Sequence, residues 1–369
     1  MLNRAKLLQE LQGCTTIFVD HSNEYTCARR VWQQIAADPT LVYKVRTARA
    51  PWLVPTWSGA LDAILPIERM TDAYRVLSVD GSQIYPDRHQ GTSCYLINIG
   101  SVDFAYGAPA GSVKLQSEPH VFMAEEQESS ISVVDLVNGR RHEYELSRAC
   151  AMSREAVHDR PHALLLDGSL IFWHLEKDVQ LKELFLENYC QLLHELYEAK
   201  MPIAGYISMP KSKELVNLIR LALCNFVTQG CDAYRQVDHI VDAAVAQFFL
   251  QPYTRSIVFK SNASVCQYYP EHLKPHFFYM HVGVEIARIE IPAWVAADDQ
   301  ILDRVGRIIA DQTIKGAGYP IVLAEAHEQA VVKGPDREFF YHCIAKIGVE
   351  QKRHLMHSPK SGKKRYMAL

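Results

Sequence analysis

Two aspartates in this sequence follow the same local pattern. Asp80 ends the apolar run that begins at Val76, Asp167 ends the run that begins at Ala163, and Gly-Ser comes directly after each aspartate. One Asp-Gly-Ser alone is usually a turn, because Asp and Gly both favour turn geometry. Two copies, each at the end of a buried-looking strand, predict two carboxylates at one edge of a sheet. Carboxylate oxygens bind hard divalent cations such as Mg²⁺ and Mn²⁺, so the pattern predicts a metal site.

Two such ions could clamp the attacking and leaving oxygens of a phosphodiester, and we expect a third carboxylate on the helix before the second aspartate. The predicted strand 162–167 spans roughly 17 Å at about 3.3 Å per residue. An antiparallel helix that rises about 1.5 Å per residue covers this distance in about 11 residues, which points from a helix end near His158 to Ser147. Glu145 is the nearest carboxylate, and Glu155 is the second choice. Either could instead be a charge on a solvated helix face.

His327 is a candidate late metal ligand or proton carrier, because neutral imidazole binds metals and titrates near pH 7. A lone histidine among alanines is more often an ordinary helix residue, and the chain has 16 histidines. Other side chains near predicted strand ends could contact phosphates or stack on bases, although loop and core roles are commoner. These are Arg88, Lys211, Lys213, Tyr85, Tyr106 and Trp173.

The elements that would carry these residues begin with a mostly helical N-terminal segment, residues 1–73. Three strands are then predicted, with glycine breaks at Gly100 and Gly107: 74–80, 94–100 and 101–107. Residues 108–130 are rich in Gly, Pro, Ser and Glu, and they predict an exposed excursion.

The middle of the chain predicts a short strand at 132–137, a helix from about Arg141 to His158 and the strand 162–167. Strands, then a helix, then a strand that ends in Asp is the element order of ribonuclease H-like domains. We therefore expect an α/β fold with a ribonuclease H-like mixed central sheet flanked by helices, and with helical N-terminal and inserted segments.

The rest of the chain predicts further helices and strands. The helical segments are about 175–200, 214–224, 239–251, 299–315 and 321–330. The strands are 203–208, 256–260, 277–282 and 284–291. The last stretch, 346–369, holds seven Lys or Arg against one Glu and predicts a flexible basic tail.

Composition limits the class of protein. The 369 residues are 48% hydrophobic and 22% charged, which suffices for a large core in one or two domains. The net charge of −3 excludes a global basic field, so any nucleic-acid contact must be local. Nine scattered cysteines without a Cys-x-x-Cys pair predict reduced, mostly buried thiols. The polar N-terminus and the lack of an apolar run of roughly 20 residues predict no signal peptide, no membrane contact and a cytoplasmic location.

Several motifs resemble, in order, those of the NurA nuclease domain. The most specific is Val79-Asp-Gly-Ser-Gln-Ile-Tyr-Pro-Asp-Arg-His89, and Leu164-Leu-Leu-Asp-Gly-Ser-Leu170 is similar to the second motif. The similarity covers about residues 74–345. The other matching blocks are Leu96-Ile-Asn-Ile-Gly100, Tyr106-Gly107, Ile240-Val-Asp-Ala-Ala244, Arg255-Ser256, Arg288-Ile-Glu-Ile-Pro-Ala-Trp294, Tyr319-Pro320 and Ala326-His327.

The resemblance implies a ribonuclease H-like fold and a Mn²⁺-dependent DNA nuclease, with Mg²⁺ as an alternative cofactor. It implies 5′ to 3′ exonuclease and single-strand endonuclease action in DNA end resection and double-strand break repair. The implied partners are DNA, a hexameric HerA-type ATPase and a second copy of the chain in a homodimer.

Carried over residue by residue, Asp80 and Asp167 match the family's metal-binding aspartates, and His327 matches its late histidine. Glu145 is then the expected helical ligand, although neither it nor Glu155 has the family's spacing to Asp167. Asp242 matches a further acidic position, where a structural role is equally expected.

Two other functions stay open. An actin-like or sugar-kinase-like ATPase shares this strand order and also uses Asp-Gly turns at phosphate and Mg²⁺. The sequence lacks the late Gly-Gly turn of that class, for which Lys315-Gly-Ala-Gly318 is a weak substitute. The third function is an inactive clamp that couples a partner to DNA, against which the intact acids argue.

Overall fold

The computed structural model describes residues 2–14, 21–87, 92–107, 111–123, 131–156 and 160–350. One mixed sheet of eleven strands runs through these residues. In chain order the strands are β1 (Thr56–Trp57), β2 (Leu65–Pro66), β3 (Tyr74–Ile84), β4 (Cys94–Tyr106), β5 (Ser112–Met123), β6 (His162–Asp167), β7 (Ile203–Ile207), β8 (Thr254–Arg255), β9 (Phe259–Lys260), β10 (Pro275–His281) and β11 (Ile286–Pro292).

The sheet order is β1-β9-β10-β11-β7-β6-β3-β4-β5, with β8 beside β10 and β2 beside β8. Strand β6 is parallel to β3 on one side and to β7 on the other. The remaining pairings are antiparallel. Three antiparallel strands, a helix and a parallel strand therefore follow one another, which confirms the predicted ribonuclease H-like mixed sheet flanked by helices.

Eleven α-helices surround the sheet in the part of the chain that the structure describes. They are α1 (Arg4–Gly13), α2 (Ser22–Ala36), α3 (Leu41–Thr47), α4 (Val133–Glu155), α5 (Val179–Glu198), α6 (Glu214–Leu223), α7 (Asp242–Ala246), α8 (Ala293–Ala296), α9 (Asp299–Lys315), α10 (Ile321–Ala330) and α11 (Gly334–Glu350). Short 3₁₀ turns lie at Trp173–Leu175, Ala233–Val237, Ser264–Tyr268 and Glu271–Leu273. None of the helices in the described ranges is long and apolar enough to cross a membrane.

The core is divided by the sheet, because successive strand residues point to opposite faces. In β3, Leu77 packs with α4 and α5 on one face, while Val76 packs with α9 and α10 on the other. At the far end of the sheet, Phe277 joins a third cluster with α2, α3, α6 and α7, and its neighbour Phe278 faces α9 and α10. The sheet thus separates the helix of Glu145 from the helix of His327.

Several predicted boundaries before the second aspartate are wrong. The first strand does not end at Asp80, because β3 stays paired with β4 through Gly81 and Ser82 as far as Ile84. The strand does not break at Gly100, because β4 pairs along its length with β3 and β5. The predicted excursion 108–130 is exposed where it is described, and it contains the edge strand β5. The segment 132–137 opens α4 and is no strand, because the Ser132 hydroxyl accepts the Asp135 N–H at 3.1 Å and caps the helix.

Other predicted elements are shorter than expected. The N-terminal segment is helical only to Thr47, the helix expected at 239–251 is reduced to α7, and the strand expected at 256–260 becomes the short β8 and β9. In the N-terminal segment, Pro51, Pro55 and Pro66 follow the last helix and limit regular structure. Helix α9 has the bounds that were predicted. Of the basic tail, residues 346–350 belong to α11, and 351–369 lie outside the described residues.

The prediction of reduced cysteines is wrong for one pair. Cys224 and Cys231 form a disulfide, with their Cα atoms 5.8 Å apart. The chain turns back just after α6, which brings together two residues only seven positions apart. The other seven cysteines are free thiols, and three of them are buried: Cys150, Cys190 and Cys266.

Candidate metal centre at the edge of the sheet

Asp80 and Asp167 lie side by side on two neighbouring parallel strands. Val79 of β3 is in register with Leu166 of β6, so the next residue of each strand is an aspartate at the same level. Asp80 is half-buried, and its Oδ1 accepts the Gly81 N–H at 2.8 Å. The repeated Asp-Gly-Ser pattern therefore marks two carboxylates at one edge of the sheet.

Burial and several neighbouring groups shift the pKa of Asp167. Burial raises the pKa of the Asp167 carboxyl, and the nearby carboxylates of Asp80 and Glu145 raise it further. A hydrogen bond from the Tyr319 hydroxyl and the charge of His327 act in the opposite direction on that pKa. Two like charges this close favour a cation between them. Tyr319, one residue before the prolyl start of α10, had no assigned role in the sequence prediction.

His327, in helix α10, lies next to Asp80. Its Nδ1 lies 2.9 Å from Asp80 Oδ2, and 59% of its side chain is exposed. The imidazole therefore reaches both the carboxylate and solvent, which suits a metal ligand or a proton carrier.

Helix α10 is fixed over the strands by unusually close contacts. A Cβ at Gly100 would lie 2.4 Å from both the Ala326 carbonyl oxygen and the Ala330 nitrogen, so only glycine lets the helix backbone approach β4. The Ala330 carbonyl accepts from Ser82 Oγ at 2.5 Å and from Asn98 Nδ2 at 2.7 Å. These side chains satisfy the carbonyl end of the helix that carries His327.

Glu145 approaches the same edge from α4 on the other face of the sheet. A Cβ at Gly81 would lie 2.5 Å from Glu145 Oε1, so the glycine after Asp80 makes room for this carboxylate. Glu145 is also paired with Arg141, at 3.4 Å between Nε and Oε1, and with His142, at 3.1 Å between Nδ1 and Oε2. Its charge acts on the second aspartate through space.

The second choice for the helical acid lies elsewhere. Glu155 is the last residue of α4, its side chain is 62% exposed, and it pairs with Arg148 at 3.5 Å. The helix ends three residues earlier than predicted, so the position about 11 residues back from its end lies next to Glu145. The structure thus brings Glu145 towards the two aspartates and keeps Glu155 away from them.

A buried carboxylate behind the site holds the second Asp-Gly-Ser turn. Glu290 Oε2 accepts from Ser169 Oγ at 2.7 Å, from Leu170 N at 2.9 Å and from Ile171 N at 3.3 Å. Its other oxygen accepts from Arg288 Nε at 2.8 Å. The sequence prediction missed this role, although the alternation of charged and apolar residues in Arg288-Ile-Glu-Ile was its visible signal.

Asp242 has a structural role. It is fully buried, and its two oxygens accept from the backbone N–H groups of Glu214 at 2.8 Å and Val216 at 2.9 Å, at the start of α6. Its Oδ2 also accepts from the Tyr279 hydroxyl at 2.7 Å. Asp242 therefore caps a helix inside the core.

The remaining candidates divide by location. Lys213 donates to the Asp238 carbonyl, and Tyr106 stacks on Tyr74 at the opposite end of β3. Tyr85 is half-buried and donates to Asn138 at 2.8 Å. Trp173 is exposed close to the second turn, and Lys211 is exposed in the loop after β7. Arg88 lies outside the described residues.

The stretch Lys315-Gly-Ala-Gly318 ends α9 and does not form a nucleotide-binding turn. The Gly316 N–H donates to the Gln312 carbonyl, which closes the helix. The Lys315 ammonium pairs with the buried Asp311 and lies over the Tyr106 ring at 4.3 Å. Because the charge of Lys315 is paired within the protein, an ATP site at this stretch is less expected.

The donor set at the sheet edge fits a hard divalent cation. Among the described residues, Asp80 and Asp167 receive hydrogen bonds from Gly81, His327 and Tyr319, fewer than their four oxygens can accept. Carboxylate oxygens with one imidazole are suitable ligands for Mn²⁺ and, less often, Mg²⁺. Asp80 and Asp167 would hold the ion, with His327 and Glu145 at its margin.

Comparison with known proteins gives one family. The family model of the NurA domain matches residues 74–332. None of the curated proteins matches the chain in sequence.

Three solved structures of NurA are similar to the chain at low identity. A crystal structure of NurA has 10% identity and a TM-score of 0.40, and the match covers 85% of this chain and 94% of that one. A crystal structure of NurA with manganese has 10% identity and a TM-score of 0.37, with 84% and 94% covered. A crystal structure of NurA bound to dAMP and manganese has 12% identity and a TM-score of 0.33, with 82% and 90% covered.

Proposed function

The chain belongs to the NurA domain family, and from this premise we propose that it is a metal-dependent nuclease that hydrolyses phosphodiester bonds in DNA. The observation that carries the proposal is the pair Asp80 and Asp167 at one level of two parallel strands, with His327 Nδ1 2.9 Å from Asp80. An acid pair with an imidazole at an open sheet edge supports metal-assisted phosphoryl chemistry better than any other reaction class.

Mn²⁺ is the proposed cofactor, with Mg²⁺ as the alternative, held by Asp80 and Asp167 and assisted by Glu145 and His327. When bound, the ion would supply Lewis acidity towards the phosphate and lower the pKa of a coordinated water. Asp80 and Asp167 would fix its position because their strands are in register. Burial and the neighbouring Asp167 raise the pKa of the Tyr319 hydroxyl, which keeps it a hydrogen-bond donor that orients that aspartate.

His327 would move the proton in this proposal. Its Nδ1 faces Asp80, and its side chain is largely exposed, so the ring can exchange protons with solvent. Glu145 would add negative charge at the edge, where Arg141 and His142 hold it in place. Asp80 would orient the imidazole as a carboxylate partner does in general acid–base sites.

The family resemblance supports the finer parts of the proposal. We infer 5′ to 3′ exonuclease and single-strand endonuclease action in DNA end resection, for double-strand break repair. The proposed partners are a hexameric HerA-type ATPase and a second copy of the chain, and the proposed location is the cytoplasm. The net charge of −3 is compatible with a local DNA channel formed by a homodimer.

Cleavage of end-labelled linear DNA tests the nuclease. We expect wild-type protein to degrade it only with Mn²⁺ or Mg²⁺ present, and the Asp80→Asn and Asp167→Asn variants to lose about 100-fold or more of this activity, because the metal supplies several kcal/mol to the transition state. Asp62→Asn, at an exposed aspartate in a turn, is the matched control and should keep full activity.

Thermal unfolding of each variant must show that it is folded. Full activity in folded Asp80→Asn protein would remove this residue from the site. If the protein bound DNA but did not cleave it, with or without added metal, the inactive clamp would be favoured. Saturable ATP binding in calorimetry without DNA cleavage would favour the ATPase.

A further inference from the structure

A second group of possible metal ligands lies far from the sheet edge, where the N-terminal helices meet the nuclease domain. His21 precedes α2, Glu24 is in its first turn, and His239 lies in the loop before α7. One ligand atom from each of the three side chains lies within 4.8 Å of the others. No other three His, Cys, Asp or Glu side chains among the described residues, those of the sheet edge included, lie this close together. Two of the three residues precede the matched NurA region.

The three side chains converge on one carboxylate oxygen. Glu24 Oε1 lies 3.0 Å from His21 Nδ1 and 2.8 Å from His239 Nδ1. In a tetrahedral zinc site with ligand distances of about 2.0–2.1 Å, neighbouring ligand atoms are about 3.3–3.4 Å apart. The two nitrogen–oxygen distances would therefore need to lengthen by about 0.3–0.6 Å to admit an ion.

The other oxygen of the carboxylate is already oriented. Glu24 Oε2 accepts the backbone N–H of His239 at 2.9 Å, which ties the helix to the loop. The two imidazole rings stack with their centroids 4.4 Å apart. Such an outer hydrogen bond on a ligating carboxylate typically orients metal ligands.

Both backbones that carry the ligands are anchored in the core. In α2, Ala28 and Val31 are buried, and on the other side Val237 and Ile240 flank the loop of His239 with no exposed surface. All four belong to one apolar cluster. The ligand positions are thus set by packing, so little order must be gained when an ion binds.

We propose that His21, Glu24 and His239 form a zinc site that fastens the N-terminal helices to the nuclease domain. Two neutral imidazoles and one carboxylate give a nitrogen-rich set with one negative charge, which favours Zn²⁺ over the harder Mn²⁺ or Mg²⁺. His239 is 65% exposed, which leaves space for a water molecule as fourth ligand. The proposal does not depend on the proposed nuclease function.

Zinc titration of the full-length protein, after removal of metals with a chelator, tests the site. We expect wild-type protein to bind one more equivalent of Zn²⁺ than the His239→Ala and Glu24→Gln variants, whose affinity at this site should fall by at least about tenfold. Zn²⁺ should raise the melting temperature of wild-type protein and leave that of both variants unchanged. Mn²⁺ at the same concentration should give no such difference between wild type and variants.

Two control variants separate this site from others. His272→Ala removes a histidine from another pair, His194 Nδ1 and His272 Nε2 at 3.0 Å, and should keep the extra zinc. Asp167→Asn should also keep it, since the sheet edge is a different site. His239→Ala should retain Mn²⁺-dependent cleavage of DNA, so failure of the zinc site and failure of the nuclease are distinguishable.

Co²⁺ offers a measurement on wild-type protein that needs no folded variant. Visible d–d bands of a four-coordinate cobalt complex, displaced by Zn²⁺, would support the site. Equal zinc binding by wild type and His239→Ala would overturn it. The site would also be overturned if the variants melted below wild type by the same amount with and without zinc. The three side chains would then act through hydrogen bonds alone.

Discussion

Two groups of acidic side chains in this protein differ in what surrounds them. Inside the core, Arg288 donates from Nε to Glu290 at 2.8 Å and pairs with Glu214, and both acids are buried. At the sheet edge, Asp80 and Asp167 lie side by side on the strands, and His327 is the neighbour of Asp80. The core acids thus have a permanent cation within the chain, whereas in our proposal the edge acids take theirs from solution.

The two groups are nevertheless connected. Glu290 belongs to the core group through Arg288, and its second oxygen holds the turn that follows Asp167. A buried ion-pair network therefore holds the turn that follows one of the two edge aspartates. The comparison predicts that changes in the core group reduce stability first and that changes at the edge reduce function first.

The largest effect should follow from removing the internal cation. Arg288→Met keeps most of the side-chain volume and leaves the carboxylates of Glu214 and Glu290 buried without their cation. We expect the free energy of unfolding to fall by about 3–5 kcal/mol, measured by urea denaturation. Arg154→Met removes a largely exposed arginine paired with Glu195 at 2.7 Å, and should cost at most about 1 kcal/mol. Similar losses in both variants would show that the two core acids do not depend on a buried cation.

The link between the groups gives the second prediction. In Glu290→Gln, an amide NH₂ must face either Arg288 or the turn donors, because both carboxylate oxygens now accept hydrogen bonds. The turn after Asp167 should loosen, and the Mn²⁺ concentration for half-maximal cleavage should rise by about 10- to 100-fold. A variant of lower stability with unchanged metal dependence would show that the core group does not position the edge.

Much of the fold was predictable because it rests on local patterns. The Asp-Gly-Ser turn at Asp167, the helix before it and the bounds of α9 all follow from periodicity and turn chemistry. The Asp-Gly-Ser at Asp80 does not form the predicted turn, because pairing with β4 keeps it in strand β3. Strand β5 was not predictable in this way, because ten of its twelve residues are exposed and its strand form depends on pairing with β4. Gly100 misled the prediction for a related reason: it is required by the approach of α10, which is distant in sequence.

The residues of the candidate site were predictable only where a local sequence pattern marks them. Asp80 and Asp167 stand out in the sequence, and rise-per-residue arithmetic selected Glu145 over Glu155, a choice that the geometry of α4 supports. Tyr319 and Glu290 could not be assigned, because their roles depend on contacts between strands and helices far apart in the chain. Local signals identify the proposed ligands better than the residues that hold them in place.

The helical acids sharpen the comparison at the edge itself. Glu145→Gln removes a charge that acts on Asp167, and we expect about tenfold slower cleavage, or about 1.4 kcal/mol in the barrier, with little change in stability. Glu155→Gln is the matched control on the same helix, where the acid is 62% exposed, and it should be cleavage-neutral. Equal effects of the two substitutions would remove the helix from the site, and a larger effect of Glu155→Gln would reverse the assignment.

The smallest expected effect is a change in the free energy of unfolding, and the sign of this change tests the comparison. Burial and the charge of Asp80 raise the pKa of Asp167, so in protein stripped of metal the ionised carboxylate destabilises the fold. Asp167→Asn keeps an oxygen for the Tyr319 hydroxyl and should raise the free energy of unfolding by about 1 kcal/mol in a chelator.

The same chemical change at Asp242 should act in the opposite direction. Both Asp242 oxygens accept backbone N–H groups of α6, so either orientation of an asparagine amide there faces a donor with a donor. Asp242→Asn should therefore lower the free energy of unfolding by about 1–3 kcal/mol. Urea denaturation of both variants, with and without Mn²⁺, gives the comparison: added metal should stabilise wild-type and Asp242→Asn protein but not Asp167→Asn. If both substitutions destabilised the metal-free protein, Asp167 would be a structural acid like Asp242, and the edge would have no need of a cation from solution.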